Sequence, residues 1–249
     1  MHFSYRTGSS ASTPVKLTPH FPPTENVFCF YQTGAAFRTG NGRVAVTDLN
    51  TNLCTHMVYQ YIRLTTYGSI QTMDVNLSEL QQFVALRSNG AKTPKLLVSV
   101  GGPLQSSREL SALFAVVSLR RATATAILGF LDQYGFDGVD FHWQWPVLKG
   151  GNPEDRTNFP KLLAQLRDTL QPSGKILSVS VAPTKDYFWS SYDVPEMAKY
   201  VDFVNVMAFD LHAYWNAQTG HNAPVYRSLE ETSKTERELN VVSLTRSRD

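Results

Sequence analysis

The chain has no run of 18 or more apolar residues, so no stretch of it is long enough to cross a bilayer as a helix. It has no block of Lys and Arg interleaved with aromatic rings. Its 23 basic residues nearly balance its 21 acidic ones, so nothing in its charge calls for nucleic acid. No Gly-x-Gly-x-x-Gly follows the first apolar run, which removes the usual signal for a dinucleotide cofactor. Cysteine is scarce, with only Cys29 and Cys54. The pair suits a disulfide in an oxidising compartment and two reduced core thiols in a reducing one equally well. The opening segment holds Pro14, Pro19, Pro22 and Pro23 and lacks the apolar centre of a signal peptide. Residues 1–24 therefore read as a disordered lead-in or a replaced start.

What remains is a chain of 249 residues, 42% hydrophobic and 18% charged, enough for one large core. Short apolar runs alternate with helical spacing. Val27–Tyr31, Cys54–Ile62 and Lys95–Val100 read as strands, the last running into Gly101-Gly102-Pro103. In Cys54–Ile62 the alternation places Thr55, Met57, Tyr59 and Tyr61 on one face. Lys175–Ala182 and Val201–Phe209 read as two further strands. Helical spacing covers Leu77–Leu86, a long stretch Leu110–Gln133, then Asn158–Leu170 and Val194–Tyr200. With the stretch described next, strand and helix alternate six times, which calls for a parallel sheet covered by helices. Six units suit an open doubly wound sheet or three quarters of an eight-stranded barrel. Residues 227–249 turn polar, with Val241-Val242 as their only apolar cluster, and read as a tail.

The stretch that organises the chain is Gly135 to Pro146, GFDGVDFHWQWP. As a strand it points Asp140, His142 and Gln144 to one face and Val139, Phe141 and Trp143 to the other. An acid, an imidazole and an amide then line one wall. Such groups are costly on a buried strand unless they are hydrogen-bonded or used.

This stretch resembles the Asp-Gly-x-Asp-x-Asp-x-Glu signature of glycoside hydrolase family 18, the chitinases. Asp137, Gly138 and Asp140 fit it, while His142 stands at the third Asp and Gln144 at the catalytic Glu. KLLVSVGG over Lys95–Gly102 resembles the family's third-strand motif, with Pro103 in place of a Trp. Met207-Ala208-Phe209-Asp210-Leu211-His212 resembles its sixth-strand motif, with Ala208 and Phe209 as departures. Thr219 to Pro224 resembles the sequence that follows.

The resemblance spans roughly Val27 to Tyr226. It implies an α/β fold, a partial (β/α)8 TIM barrel with about six of its eight parallel strands, over residues 25–226. It also implies a Cys29–Cys54 disulfide, a secreted protein, and no cofactor or resident metal. Asp140, His142 and Asp210 are suitable metal ligands by type, but the family context accounts for them as polar groups of the barrel interior.

The chemistry implied by the family is substrate-assisted, with a protonated Glu donating to the glycosidic oxygen. Gln144 cannot release a proton near neutral pH. His142 supplies no negative charge beside a cationic intermediate, and Phe209 lacks the hydroxyl of a Tyr. The expectation is a catalytically inactive chitinase-like protein, akin to imaginal disc growth factors and bacteria-responsive chitinase-like proteins. Its partner would be an N-acetylglucosamine glycan or a receptor, bound by a monomer. The expected contacts are Tyr31, Tyr59, Trp145 and Trp215 as stacking rings, with Gly101, Gly102, Asp140, Gln144, Met207 and Asp210 beside them. The alternative reading is a splice or gene-model product ending before strands seven and eight, with no function of its own; an active chitinase ranks behind both. Asn76-Leu77-Ser78 is a single N-glycosylation sequon.

Overall fold

The computed structural model describes residues 3–6, 26–88, 93–216, 219–227 and 239–241. Seven strands form one sheet: β1 (Phe3–Arg6), β2 (Phe28–Gln32), β3 (His56–Ile62), β4 (Lys95–Gly101), β5 (Gly138–His142), β6 (Ile176–Val181) and β7 (Phe203–Val206). Their order is β1-β7-β6-β5-β4-β3-β2. β2 to β7 run parallel in sequence order and make a curled half-barrel. β1 lies antiparallel on the free edge of β7, Phe3 opposite Val206. The lead-in expected over residues 1–24 thus holds a strand at Phe3–Arg6; residues 7–24 lie outside the described residues. Pairing with β7 gives partners to an edge that would otherwise present bare N–H and C=O groups. It leaves β2 as the parallel strand at the other rim.

The helices follow the strands: α1 (Leu77–Ala85), α2 (Ser107–Ala115), α3 (Val117–Tyr134), α4 (Asp155–Leu170), α5 (Lys185–Ser191) and α6 (Val194–Met197). The long helix read over Leu110–Gln133 is two helices meeting at an angle of 110°. Val116 between them is extended, at φ −99° and ψ 122°. The first of the pair starts early because Ser106 and Glu109 form a reciprocal capping box. Of the residues 227–249 read as a polar tail, the described ones include buried Asn240 and Val241, and the Val241 N–H donates to the Pro224 carbonyl at 2.9 Å.

The two faces of the sheet differ. Outward residues Val98, Val100, Val139, Phe141, Trp143, Leu177 and Val179 pack under the helices with Phe114, Phe159, Leu162 and Leu166, all fully or almost fully buried. Inward, Phe28, Val58, Leu97 and Phe203 form a separate apolar plug at the N-terminal mouth of the half-barrel. The Cys29–Cys54 disulfide ties the rim strand β2 to the start of β3 across a separation of 25 residues. Closing a loop of that length destabilises the unfolded chain by about 3.5 kcal/mol.

Candidate functional site

The inward rows above the plug are polar. Register places Gln60, Ser99, Asp140 and Ser178 in one row across β3 to β6, and Gly101, His142, Ser180 and Asn205 in the next across β4 to β7. Asp140 is fully buried and accepts four hydrogen bonds. Ser99 Oγ at 2.9 Å and Ser180 Oγ at 2.9 Å reach its Oδ2. Ser178 Oγ at 2.8 Å and Asn205 Nδ2 at 3.1 Å reach its Oδ1. Each strand flanking the carboxylate offers a donor, so its negative charge is compensated by oriented dipoles inside an apolar shell.

His142 follows on the same face, 1% exposed, and neither ring nitrogen has a hydrogen-bond partner. Burial pushes its pKa down to about 3, so the imidazole is neutral at physiological pH. The Tyr61 ring stands edge-on to it at 5.4 Å. Burial and the Asp140 carboxylate raise the Tyr61 hydroxyl above its ordinary pKa.

Gly101 and Gly102 lie beside His142 at the end of β4, both at positive φ (98° and 67°). A Cβ on Gly101 would meet the His142 carbonyl, and one on Gly102 would meet the Tyr61 ring. Only glycine lets the turn sit this close to both. Gly138 is glycine for a steric reason: a Cβ there would meet the backbone of Ile176.

Gln144 is half-buried just beyond β5, and its Nε2 lies 3.5 Å from Met207 Sδ. Trp145 follows, half-buried, its ring edge-on to Tyr187 of α5 at 5.4 Å. Trp143 points outward into the core, and its Nε1–H donates to Ser107 Oγ at 2.9 Å. After β7, Asp210 is exposed at φ 55° and exchanges hydrogen bonds with Asn222. Trp215 is 57% exposed and packs against Tyr214. Gly101, Gly102, His142, Gln144, Trp145, Met207, Asp210 and Trp215 therefore all lie at or beyond the C-terminal ends of parallel strands, the end at which barrel proteins build sites.

Two expected contacts do not belong to this cleft. Tyr31 and Tyr59 point outward and are buried beneath α1, where both hydroxyls donate to Glu79, at 2.7 and 3.3 Å. Their rings pack on Phe83 and have no face open to a sugar. Tyr61 is the ring that points inward instead. The β3–β4 register shifts between Gln60 and Ile62, so Tyr61 is an extra residue that leaves the face of Tyr59. Strand alternation alone assigned it to the wrong side. Ser99, Ser178, Ser180 and Asn205 carried no sequence signal beyond being small polar residues in apolar strands. Asp137 is held at the start of β5 by Arg87 (2.8 Å), the Leu96 N–H (2.8 Å) and Lys95 (3.6 Å), at the end of the strand away from the cleft. Among the described residues no group of three metal-ligating side chains converges.

Comparison with known proteins places these features in a family. The family model "Glycosyl hydrolases family 18" matches residues 26–246. Probable chitinase 10 of Drosophila melanogaster is 32% identical over 83% of the chain. Among solved structures, the group IV chitinase of Ostrinia furnacalis in complex with allosamidin is 34% identical over 88% of the chain, with a TM-score of 0.82. Catalytic domain 2 of the group II chitinase of the same organism, in complex with penta-N-acetylchitooctaose, is 32% identical over 88% of the chain, with a TM-score of 0.79. The chain spans 9% of the length of the Drosophila protein and 60% and 58% of the two solved chains. With its curled parallel sheet, its disulfide and its glycine-lined cleft at the strand ends, this chain belongs to glycoside hydrolase family 18.

Proposed function

We propose that this chain is a non-catalytic, glycan-binding member of the family that holds oligomers of N-acetylglucosamine in the cleft at the C-terminal ends of β4, β5 and β7. The observation that carries the reading is Gln144 at the acid position, with no group beside it among the described residues suited to deliver a proton in its place. Asp140 is committed to four hydrogen bonds. His142 is neutral with nothing to release. Tyr61 is pushed away from titrating near neutrality. General acid catalysis contributes about 10² to 10⁴ in rate, and a poor leaving group makes its loss more costly still.

Binding does not need that acid. Trp145 and Trp215 offer rings, Gln144 and Asp210 offer polar atoms, and Gly101 and Gly102 bring backbone close. Such a mixture suits a sugar, with an apolar face and a polar edge. The occupancy of a 32% identical relative by an acetylated chitooligosaccharide supports the same ligand class. The disulfide supports an extracellular setting.

The test is turnover of a fluorogenic chitotrioside by purified protein. The wild type and Gln144→Ala are expected to release product at the same background rate. A wild-type rate well above background that Gln144→Ala abolishes would sink the proposal.

A further inference from the structure

One motif of the sequence has no part in the cleft. Asn76-Leu77-Ser78 is the single Asn-x-Ser/Thr triplet of the chain with a residue other than proline at its centre. The fold seats it at the N-terminus of α1, where Asn76 is the helix cap. Its Oδ1 accepts the Glu79 N–H at 3.2 Å. The cap holds Asn76 against the body of the protein, because the Glu79 carboxylate anchors Tyr31 and Tyr59 in the core. Asn76, Leu77 and Ser78 are all exposed.

Capping uses only the side-chain oxygen, and Asp or Ser would supply one as well. What Asn adds is an amide nitrogen. Among the described residues none accepts a hydrogen bond from Asn76 Nδ2. With the oxygen turned toward the helix, the nitrogen faces the other way. Ser78 places a hydroxyl two residues on, on the same exposed turn. The apolar neighbours are bare: Met73 is 91% exposed and Leu77 42%. Two uncovered apolar side chains within three residues of a free amide nitrogen suit a bulky, hydrophilic cover.

We infer that Asn76 is an N-glycosylation site, whose oligosaccharide is attached to Nδ2 and shields Met73 and Leu77. The inference rests on the extracellular setting proposed above. The donor is an oligosaccharide carried on a polyprenyl diphosphate, presented by a transferase. Nδ2 bonds to C1 of the first sugar, and the C1–O bond to the diphosphate breaks. The diphosphate leaves with the electron pair, and one proton passes from Nδ2 to a base of the transferase. The amide nitrogen keeps one hydrogen and Oδ1 remains an acceptor, so the glycan and the helix cap coexist. α1 begins beyond the C-terminal end of β3, so the glycan stands at the same end of the half-barrel as the cleft.

The test is mass analysis of the full chain secreted from a eukaryotic cell behind a cleavable leader, before and after treatment with peptide:N-glycosidase. That enzyme turns a glycosylated Asn into Asp. The wild type is expected to lose one glycan, with Asn76 recovered as Asp. Ser78→Ala leaves the cap in place and should carry no glycan. The deglycosylated protein still has a side-chain oxygen to cap α1, so its melting temperature should hold while its solubility falls. A secreted wild type with Asn76 unmodified overturns the inference, as does a glycan that persists in Ser78→Ala. Equal solubility with and without the glycan overturns the shielding. Expression from Met1 without the added leader separates the two readings. A chain that then stays unmodified inside the cell, while the leader-directed chain is modified, overturns the extracellular setting and upholds the site.

Discussion

Replacing Asp140 by Ala is expected to cost at least about 4 kcal/mol of unfolding free energy, a large part of what a single domain possesses. Among the described residues, the carboxylate accepts the hydroxyl protons of Ser99, Ser178 and Ser180 and the Asn205 amide. Truncation leaves four buried donors facing a cavity, each worth about 1–3 kcal/mol when unsatisfied. The strands concerned, β4 to β7, are most of the sheet, so the loss is not local. Asn at the same position keeps one acceptor oxygen and turns an amide toward two of the donors. Asp140→Asn should therefore lose roughly half as much. Urea unfolding checks both, read as midpoint shifts at constant slope. A loss below about 1 kcal/mol for Asp140→Ala would mean the four hydrogen bonds do not organise the interior.

Acidification should unfold the protein through its buried histidines well before its carboxylates alone would. His142 is held neutral by burial, its pKa falling to about 3, while an unfolded His titrates near 6.5. Between those values the unfolded chain binds more protons than the folded one. Stability is therefore full above about pH 6.5 and falls as the pH drops, by about 1.4 kcal/mol per unit. His142 alone removes about 2 kcal/mol by pH 5 and about 3 by pH 4. His56 acts in the same direction. It is stacked on Phe28 at 4.3 Å, and burial followed by the Lys95 charge lowers its pKa to about 4. Urea midpoints measured between pH 7 and pH 5 give the comparison. The wild type should lose stability across this window, and His142→Phe should lose about 2 kcal/mol less. Equal losses in the two proteins would remove His142 as the cause.

Much of this architecture was legible in the chain because parallel strands announce themselves as apolar runs between helical segments. The inward set Asp140 and His142 followed directly from alternation within Gly135–Pro146. The rest depended on register and facing. Buried parallel strands are apolar on both sides, so nothing in Phe28-Cys29-Phe30-Tyr31 distinguishes the side under α1 from the side in the barrel. Sequence alone therefore offers Tyr31 and Tyr59 as sugar platforms, whereas they are core residues anchored on Glu79. Strand alternation places Tyr61 with Tyr59, but one extra residue between Gln60 and Ile62 reverses its face. The serines and Asn205 matter only because four strands converge on one carboxylate, and convergence is a property of the sheet. Phe3–Arg6 lies in a proline-rich, polar context that conceals a short edge strand.

The chemical consequence of Gln144 and His142 is separate from the fold they sit in. A half-barrel that keeps Asp137, Gly138 and Asp140 keeps what the strands need, since these residues anchor β5, allow its close approach to β6 and saturate the inward donors. On the proposed reading, Gln144 and His142 stand at the positions that would handle protons and charge, while Pro103 and Ala208 depart from the family pattern without bearing on either. The proposed function therefore predicts that binding and turnover separate in this cleft.

Titration calorimetry with N-acetylglucosamine oligomers of increasing length, followed by mass analysis of the recovered sugar, tests that separation most directly. Saturable binding with every oligomer recovered at its starting length is the predicted result. Shortened oligomers, or no binding heat with any of them, would contradict it.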